Sequence, residues 1–314
     1  MPLYIKDSDV DSLVDIKDAI AALEDGFRHW RRDGTENLPR QRLPLPMPAR
    51  ALNVMAASSP ALGICGLKAY FGGCHHVMLL SIEEKRLLAV IEAGRLGAIR
   101  TGAASGVATR YLARKDASVV GIIGTGRQAR TQLLAMAAVR SLRSVRVFGR
   151  DAGRRKVFAD EMAAALSCEV KACDTAEDCV RDSHIVVAAT NSSAPVVLGD
   201  WLAPGSHVNA IGANGYARRE LDDAAVLHAA LVATDDRDQA RTEARELIDL
   251  TRDGKLDWDD VVELGDLVQH NHRGRGSDND ITLFKSLGIA LEDIAFGKLI
   301  YDRALAAGRG AEMG

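Results

Sequence analysis

Apolar residues near the start of the chain recur at the spacing of a helix. Five of them follow one another at intervals of four and three: Ile16, Ile20, Leu23, Phe27 and Trp30. This spacing places them on one stripe of a helix. Asp15 suits the N-cap of that helix, and Gly34 can end it. We predict an amphipathic helix that packs its apolar stripe on another element.

The next stretch changes to extended patterning. The prolines of NLPRQRLPLPMP, residues 37–48, exclude a helix and favour extended or edge-strand backbone. Short apolar runs separated by turn residues then follow at Leu52–Ala56, Ile64–Phe71, Val77–Ile82 and Leu87–Ile91. Runs of this length between turns predict strands. We therefore predict an α+β domain with a mixed, meandering sheet.

From Ala117 onward, strand and helix patterns alternate. The run SVVGIIG precedes the helical RQARTQLLAMAAVR and the strand SVRVFGR, and further strands are predicted at HIVVAAT, HVNAIGA and LVATDD. This alternation predicts an α/β fold with a Rossmann-type doubly wound sheet. We predict that a long apolar helix from about Ile281 to Leu305 returns to pack on the first domain, and that residues 270–280 form a surface loop. The predicted domains are residues 1–115 with 290–314, and residues 116–289.

Composition and charge narrow the class of protein. The chain has 314 residues, of which 47% are hydrophobic and 26% charged, enough for two globular domains. Its 40 Lys and Arg nearly balance 43 Asp and Glu, which argues against nucleic acid or a membrane surface as partner. Without a signal-peptide core or an apolar run near ~18 residues, we expect a cytoplasmic protein. Five cysteines without CxxC spacing indicate neither disulfides nor zinc, and we expect no metal.

A glycine-rich turn lies between the first strand and first helix of the predicted doubly wound sheet. In GTGRQA, Gly124 permits a tight turn, Gly126 lets the backbone approach a pyrophosphate, and the small Ala129 lets helix and strand touch. Free N–H groups at the helix start favour the negative diphosphate. We therefore predict dinucleotide binding, with contacts from the whole turn: Gly124, Thr125, Gly126, Arg127, Gln128 and Ala129.

The end of the second strand decides between the two nicotinamide cofactors. Where NAD sites usually carry an acidic residue, this chain has Arg150, with Arg154 and Arg155 nearby. Because arginine pairs well with a phosphate, we predict that Arg150 and Arg154 favour NADP(H) over NAD(H). In the alternative, Arg150 is a solvated charge and Asp151 binds the ribose hydroxyl.

Four separated motifs resemble those of the ornithine cyclodeaminase/mu-crystallin family. They are RTGAAS at 100–105, GTGRQA at 124–129, PGSHVNAIG at 204–212 followed by RRELD, and DITLFKSLG at 280–288. The resemblance spans nearly the whole chain and implies a nicotinamide-dependent enzyme of small amino or imino acids. It further implies a homodimer, with the interface on the N-terminal domain completed by the C-terminal helix, and with substrate held between the two domains.

The same resemblance implies residues that bind substrate and cofactor. Arg40, Lys68 and Arg100 match positions that hold the substrate α-carboxylate in the family. This role suits their chemistry, because arginine fixes a planar carboxylate and lysine adds charge or a proton. Arg42 is the rival to Arg40 in the same extended run, and we expect only one of the two side chains to face the cleft. Further cofactor contacts are expected from Thr101, Thr190 and Gly212, and near the run 280–288 with Thr282 and Lys285.

Two positions depart from the family pattern. Cyclodeaminases have an aspartate after the Ile-Gly turn, where this chain has Asn214. An amide is not a general base near neutral pH, so Asn214 argues against the cyclodeaminase reaction unless the match slips by a residue or two. His76, in Cys74-His75-His76 before the strand at Val77, matches a pocket threonine of the family and is a candidate proton donor, or else a strand-start histidine bonded to backbone.

Three reactions or roles remain open from the sequence. We predict hydride transfer at the α-carbon of a small 2-imino acid, with Lys68, His76 and Asn214 as candidate catalytic residues. The alternatives are ornithine cyclodeaminase, which releases ammonia, and a non-catalytic mu-crystallin-like binding protein. His184, His207 and Trp201 are expected to serve packing.

Overall fold

A computed structural model of the chain describes residues 1–46 and 51–314. The first part of the chain forms these elements: β1 (Leu3–Ile5), α1 (Asp7–Leu13), α2 (Ile16–Arg28), β2 (Glu36–Pro44), β3 (Ala51–Ser59), β4 (Ile64–Phe71), β5 (Cys74–Ser81), β6 (Arg86–Glu92) and α3 (Ala93–Leu112). Helix α2 is the predicted amphipathic helix, and Asp15 caps it by accepting hydrogen bonds from the N–H groups of Lys17 and Asp18. Residues 37–44 are extended as predicted, while Met47 and Pro48 of that stretch lie outside the described residues.

The rest of the chain alternates strand and helix. Its elements are β7 (Val119–Ile123), α4 (Arg127–Val139), β8 (Ser144–Phe148), α5 (Ala152–Leu166), β9 (Glu169–Ala172), α6 (Ala176–Val180), β10 (Ile185–Ala188), β11 (His207–Ala210), α7 (Asp223–Leu227), β12 (Ala229–Thr234), α8 (Arg237–Glu243), α9 (Arg245–Arg252), β13 (Val261–Glu263), α10 (Leu264–Val268), β14 (Ile281–Lys285), α11 (Ala290–Ala307) and β15 (Ala311–Glu312). Short 3-10 turns occupy Pro60–Leu62, Gly199–Trp201 and Trp258–Asp260.

These elements belong to two units of the chain. The amino-terminal unit comprises Met1–Arg100 and Gly288–Gly314, and the central unit comprises Thr101–Leu287. Helix α3 contains the boundary between the units, twelve residues before the end of the helix at Leu112. The predicted boundary after residue 115 stays a prediction, as does the assignment of substrate and cofactor to separate domains.

In the described part of the amino-terminal unit, seven strands form one sheet in the order β15-β1-β6-β5-β4-β3-β2. The strands from β2 to β6 pair antiparallel in sequence order, as predicted for a meander. Alternate residues of these strands point to one face, and helix α11 packs on that face beside α2. The return of the C-terminal helix to this unit is therefore confirmed.

The central unit contains the predicted doubly wound sheet. Eight parallel strands of the described residues take the order β13-β12-β14-β11-β10-β7-β8-β9. The chain begins at β7, runs outward through β8 and β9, and then returns to β10 on the other side of β7. The carboxyl ends of β7 and β10 therefore form the switch point where such sheets bind ligands.

Two predicted element bounds are wrong. The predicted helix from about Ile281 begins only at Ala290, because Ile281–Lys285 is strand β14, buried between β11 and β12. A short buried apolar run has no periodicity that separates helix from strand. Strand β5 begins at Cys74, so His75 and His76 lie within it rather than before it.

The predictions for one loop, two histidines and a tryptophan are confirmed. Residues 270–280 carry no helix or strand and are mostly exposed. His207 is fully buried, with its Nδ1 atom 3.0 Å from Oγ1 of Thr282, and Nδ1 of His184 accepts the N–H of Ser118. Trp201 packs on the core of the central unit. Cys65, Cys74, Cys168, Cys173 and Cys179 are free thiols. Among the described residues, no helix has the length and apolar character to cross a bilayer.

Candidate active site

A buried group of charged side chains lies in the amino-terminal unit where α11 meets the sheet. We call Arg40, Lys68, Arg100, Glu292 and Asp293 the charged cluster. The Lys68 Nζ atom donates to Oδ1 of Asp293 over 2.7 Å, and Nε of Arg100 donates to the same oxygen over 3.0 Å. Nη1 of Arg100 donates to Oε2 of Glu292 over 2.8 Å. All five side chains are buried, so their charges interact with little screening by solvent.

The strand pattern places the cationic members of the charged cluster. Lys68 lies on β4, on the sheet face that packs against α11 and that also carries the buried Ile64 and Gly66. Its Nζ atom lies over the ring of Tyr70. Arg40 is buried on β2, and its Nη2 atom donates to the carbonyl oxygen of Gly288 over 2.8 Å. Arg42, its rival from the sequence, is exposed. The register pairs Arg42 with Asn53 and so places it on the sheet face of Tyr70 and Lys68, which means that burial, and not the sheet face, distinguishes Arg40 from Arg42.

The absence of a side chain at Gly288 leaves space for the Arg100 guanidinium. The Gly288 backbone has φ +74°, and a Cβ atom at this position would lie 2.4 Å from Nη1 of Arg100. A larger residue would both strain the backbone and displace the guanidinium. The DITLFKSLG run thus ends on a glycine that the Arg100 position requires.

The charges of the cluster shift one another's protonation. Lys68 pairs with Asp293, and Arg100 pairs with both Asp293 and Glu292. Burial, together with the charges of Arg100 and Arg40, lowers the pKa of Lys68 to about 8, although Asp293 opposes this shift. Burial disfavours the charge of Asp293, but Arg100 and Lys68 outweigh it and hold the pKa of Asp293 below its ordinary value. Lys68 can therefore exchange a proton near neutral pH.

Sequence reasoning missed Glu292 and Asp293. Both lie in the first turn of α11, where carboxylates are favoured by the helix dipole. That placement alone predicts solvated helix-start acids rather than buried partners of Lys68 and Arg100. The available signal was two adjacent acids inside an otherwise apolar run, ALEDIAF, since unpaired charges are rarely buried.

His76 lies on the other face of the sheet from Lys68. In the β4–β5 pair Lys68 is opposite Val77 and His76 is opposite Ala69, so the side chains of Lys68 and His76 alternate to different faces. His76 Nε2 lies 3.4 Å from the hydroxyl of Tyr4, which donates to Glu92 over 3.0 Å. The geometry therefore separates His76 from the charged cluster within this unit.

Neighbouring His75 behaves as the strand geometry predicts. Its ring stacks on Tyr70 with 5.4 Å between ring centroids, so the two adjacent histidines point to opposite faces. In the described part of the chain, no group of three or more His, Cys, Asp and Glu side chains could hold a metal ion.

The glycine-rich turn of the central unit has the shape that a dinucleotide needs. Gly124 follows β7 with φ +120°, and a Cβ atom there would lie 2.3 Å from the carbonyl oxygen of Ala189. Gly126 is the N-cap of α4, and nothing lies within 4 Å of the position its Cβ would take. The backbone is therefore open to a phosphate at Gly126. Ala129 is fully buried, as a close helix–strand contact requires.

The flanking residues of this turn divide by exposure. Arg127 is exposed at the first position of α4, and Gln128 is half-buried beside it. Thr125 lies against Gly149, where an added Cβ would come within 2.9 Å of the threonine methyl. Thr101 is buried, and its carbonyl oxygen accepts a hydrogen bond from Nε2 of Gln132. The turn thus offers Arg127 and backbone N–H groups to a ligand, while Thr101 and Thr125 are held by the fold.

The arginines after β8 differ in their partners. Arg150 and Arg154 are exposed, and within the described residues neither guanidinium forms an ion pair. Arg155 instead donates to the carbonyl oxygen of Gly149 and pairs with Asp174 over 3.2 Å. Asp151 caps α5 by accepting the N–H of Arg154 over 2.8 Å. Arg150 and Arg154 therefore remain as candidates for a 2′-phosphate.

The turns after β10 and β11 meet at a buried carboxylate that the sequence did not single out. Glu220 accepts hydrogen bonds from Thr190 on one oxygen and from Gly212 and Ala213 on the other. Burial raises the pKa of Glu220 above its ordinary value, against the opposing effect of Lys285 and the bonds from Thr190. Asn214 follows this turn and is exposed. Thr190 and Gly212 are thus brought together, as their shared assignment to a cofactor site requires.

Known proteins resemble this chain over nearly its whole length. The model of the ornithine cyclodeaminase/mu-crystallin family matches residues 3–308. The chain belongs to this family. Alanine dehydrogenase of Archaeoglobus fulgidus is 32% identical over 99% of this chain and 98% of its own length.

Solved structures agree with this membership. The structure of Thermococcus litoralis Δ1-pyrroline-2-carboxylate reductase in complex with NADH and L-proline has a TM-score of 0.94 and 32% identity, covering 99% of this chain and 100% of that one. An archaeal alanine dehydrogenase dimer with bound NAD has a TM-score of 0.92 and 31% identity, covering 100% and 99%. The family resemblance, the α/β fold and the class of enzyme predicted from the sequence are confirmed. This family member is an NAD(P)-dependent oxidoreductase of the imino acid reductase and amino acid dehydrogenase type.

Proposed function

We propose that this enzyme reduces a small 2-imino acid to the amino acid, with the charged cluster as the site of the substrate carboxylate. The observation that carries the proposal is the gathering of three buried cationic side chains, Arg40, Lys68 and Arg100, in one unit of the chain. A substrate carboxylate can pair with these cations, and the guanidinium of Arg100 or Arg40 can hold it in a plane. An imine without a carboxylate gains neither effect.

Lys68 supplies the proton in this proposal. When bound, the nicotinamide cofactor supplies hydride to the α-carbon of the imine or accepts it from the amino acid. The nitrogen of the C=N bond takes its proton from the Lys68 ammonium, which balances the hydride that the cofactor would supply. A lysine with its pKa lowered to about 8 can give and regain this proton near neutral pH. Asp293 keeps a second buried oxygen, Oδ2, without a hydrogen-bond partner among the described residues, and it can accept an N–H of the substrate.

His76 is not the proton donor in this proposal. It shares the sheet face opposite Lys68 with Glu92 and Tyr4. The role that the sequence divided between Lys68 and His76 is therefore assigned to Lys68, and His76 to the packing of the outer face.

The cofactor is proposed to rest on the glycine-rich turn, with its diphosphate at Gly124–Ala129. The open backbone at Gly126 and the helix start behind it fit a diphosphate. We propose NADP(H) in preference to NAD(H), because Arg150 and Arg154 are exposed without ion pairs among the described residues. The two solved relatives hold NADH or NAD, so the preference depends on these arginines alone.

We also propose a homodimer formed through the outer face of the amino-terminal sheet. Across neighbouring strands, Ala56, Leu67, Met78 and Val90 form a continuous half-exposed row on the face away from α11. A second copy of the chain would bury this row, and a solved relative is an alanine dehydrogenase dimer. A cytoplasmic location is proposed as well, in keeping with the five free thiols.

The two alternatives from the sequence are less well supported. Asn214 offers an exposed amide where a cyclodeaminase needs a base. A binding protein without turnover would have no use for a buried lysine with a lowered pKa beside a carboxylate pair. Neither alternative accounts for the charged cluster as well as imine reduction does.

The proposal is tested by comparing two cyclic imines that differ only in the carboxylate. Oxidation of NADPH and NADH is followed with Δ1-pyrroline-2-carboxylate and with 1-pyrroline. We expect turnover of the first and a kcat/KM lower by at least about thirtyfold for the second, since a buried charge pair is worth roughly 2–5 kcal/mol. Equal turnover of both imines would remove the carboxylate from the proposal.

A further inference from the structure

Two loops of the central unit are joined by one side chain. Oε1 of Glu220 accepts hydrogen bonds from the N–H of Thr190 over 2.6 Å and from its hydroxyl over 2.8 Å. Oε2 accepts the N–H groups of Gly212 over 2.7 Å and of Ala213 over 3.0 Å. Thr190 follows β10 and Gly212 follows β11, so a single carboxylate fixes the spacing of two strand-end turns.

The second of these turns is also held from its carbonyl side. Nζ of the fully buried Lys285 donates to the carbonyl oxygen of Ala213 over 2.7 Å and lies 3.5 Å from Oε2 of Glu246. Oε1 of Glu246 in turn accepts the N–H of Glu220 over 2.9 Å. Ala213 thus has both its N–H and its carbonyl oxygen fixed by buried charged side chains, directly before Asn214.

The two turns lie too close together for any side chain at Gly212. A Cβ atom on Gly212 would lie 2.0 Å from the carbonyl oxygen of Thr190 and 2.6 Å from Oε1 of Glu220. Four donors converge on Glu220, and only an ionised carboxylate offers acceptors alone. An amide would turn an N–H₂ group toward one pair of donors and leave them unsatisfied at roughly 1–3 kcal/mol.

We infer that Glu220 is a positioning residue for the nicotinamide cofactor: by joining the Thr190 and Gly212–Ala213 turns at the carboxyl ends of β10 and β11, it sets the surface on which the cofactor binds, with Lys285 fixing the same turn from its other side. This inference depends on the proposed function, since it takes these turns as part of the cofactor site. It adds a role for Glu220 and Lys285, which touch only the protein. The carboxyl ends of parallel strands beside the switch point are where such sheets place their ligands.

The test measures cofactor affinity apart from turnover. Binding of NADPH and NADH is titrated by cofactor fluorescence without substrate for the wild type, Glu220→Gln and the matched control Glu263→Gln. Glu263 is also a buried carboxylate that accepts a backbone N–H, from Arg237, but it is the last residue of the edge strand β13. Thermal unfolding of all three proteins reports the purely structural cost of each change.

We expect both variants to unfold at lower temperature than the wild type. Only Glu220→Gln should raise the cofactor Kd, by about tenfold, because only in this variant do the two turns lose the spacing on which the cofactor binds. A Kd for Glu220→Gln within twofold of that for Glu263→Gln would overturn the inference and leave the proposed function standing. Failure of the wild type to bind either cofactor would overturn the proposed function, and the inference with it.

If Glu220→Gln does not fold, the same titration is made with a second variant. Glu220→Asp keeps the charge but shortens the side chain by one methylene, so that its carboxylate cannot span both turns. We expect a cofactor Kd several-fold above wild type for Glu220→Asp. Wild-type affinity in this variant would contradict the positioning role.

Discussion

Lys68 and Asp293 form a buried ion pair, with Nζ of the lysine 2.7 Å from Oδ1 of the aspartate, although 225 residues separate them in the chain. Helix α11 brings the aspartate, and strand β4 brings the lysine. Asp293 opposes the effect of burial on the Lys68 pKa, which is lowered to about 8. Burial therefore lowers the Lys68 pKa, and a residue that the sequence did not point to limits the size of that shift.

The pH dependence of imine reduction should follow from this pair. Reduction uses the Lys68 ammonium, so kcat/KM for the imine should fall as pH rises through about 8, and amino acid oxidation should rise over the same range. Asp293→Asn removes the charge that stabilises the Lys68 ammonium and should shift this fall in kcat/KM to lower pH. Glu292→Gln is the matched control, because Glu292 pairs with Arg100. A fall that stays at the wild-type pH in Asp293→Asn would contradict the role of Lys68 as the proton donor.

The two arginines of strand β2 offer an internal comparison. Arg40→Ala should lower kcat/KM for the imino acid by about thirtyfold or more, because it removes a buried cation that would face the carboxylate. Arg42→Ala alters an exposed neighbour two residues away and should leave kcat/KM near wild type. Steady-state kinetics with a cofactor titration tests this, and the cofactor Kd should be unchanged in both. Similar losses in the two variants would show that Arg40 does not bind substrate.

His76 provides a test of the sheet geometry. His76→Asn should change kcat for imine reduction by no more than about twofold, because its side chain lies on the sheet face opposite Lys68. The fall of kcat/KM as pH rises through about 8 should also be unchanged, because Lys68 lies on the opposite sheet face. Loss of most turnover, with the variant still folded, would return His76 to the catalytic residues.

Cofactor preference should depend on the arginines after β8. In the double variant Arg150→Ala with Arg154→Ala, KM for NADPH should rise by about ten- to a hundredfold, the value of a charge-assisted hydrogen bond, while KM for NADH should hardly change. Comparing the two cofactors on one protein cancels any general loss of stability. An equal change for NADPH and NADH would argue that these arginines do not contact a 2′-phosphate.

Much of the fold could be predicted from local pattern. The GTGRQA turn, the strand before it and the helix after it identify the doubly wound sheet, because each part has its own signal. Ile281–Lys285 had no such signal. A five-residue run with three apolar residues, next to a long apolar helix, resembles an extension of that helix, and only its pairing with β11 and β12 makes it a strand.

The site was less accessible from sequence than the fold. Lys68 and Arg100 were identified, but the acids that pair with them lie 192 or more residues away along the chain, and no local spacing joins them. The face of His76 could have been worked out. Phe71 pairs with Cys74 across a two-residue turn, and this register places Lys68 opposite Val77 and turns His76 away. Glu220 had no local signal, because its partners follow two other strands.

The most direct test of the account is a substrate panel on the purified wild-type enzyme. NADPH and NADH oxidation is measured with cyclic imino acids and with 2-keto acids plus ammonia or methylamine, and ammonia release from ornithine is measured separately. We predict oxidation that depends on a carboxylate-bearing imine, and no ammonia from ornithine. Ammonia from ornithine without net change in the cofactor would contradict imine reduction and show that Asn214 does not prevent the cyclodeaminase reaction.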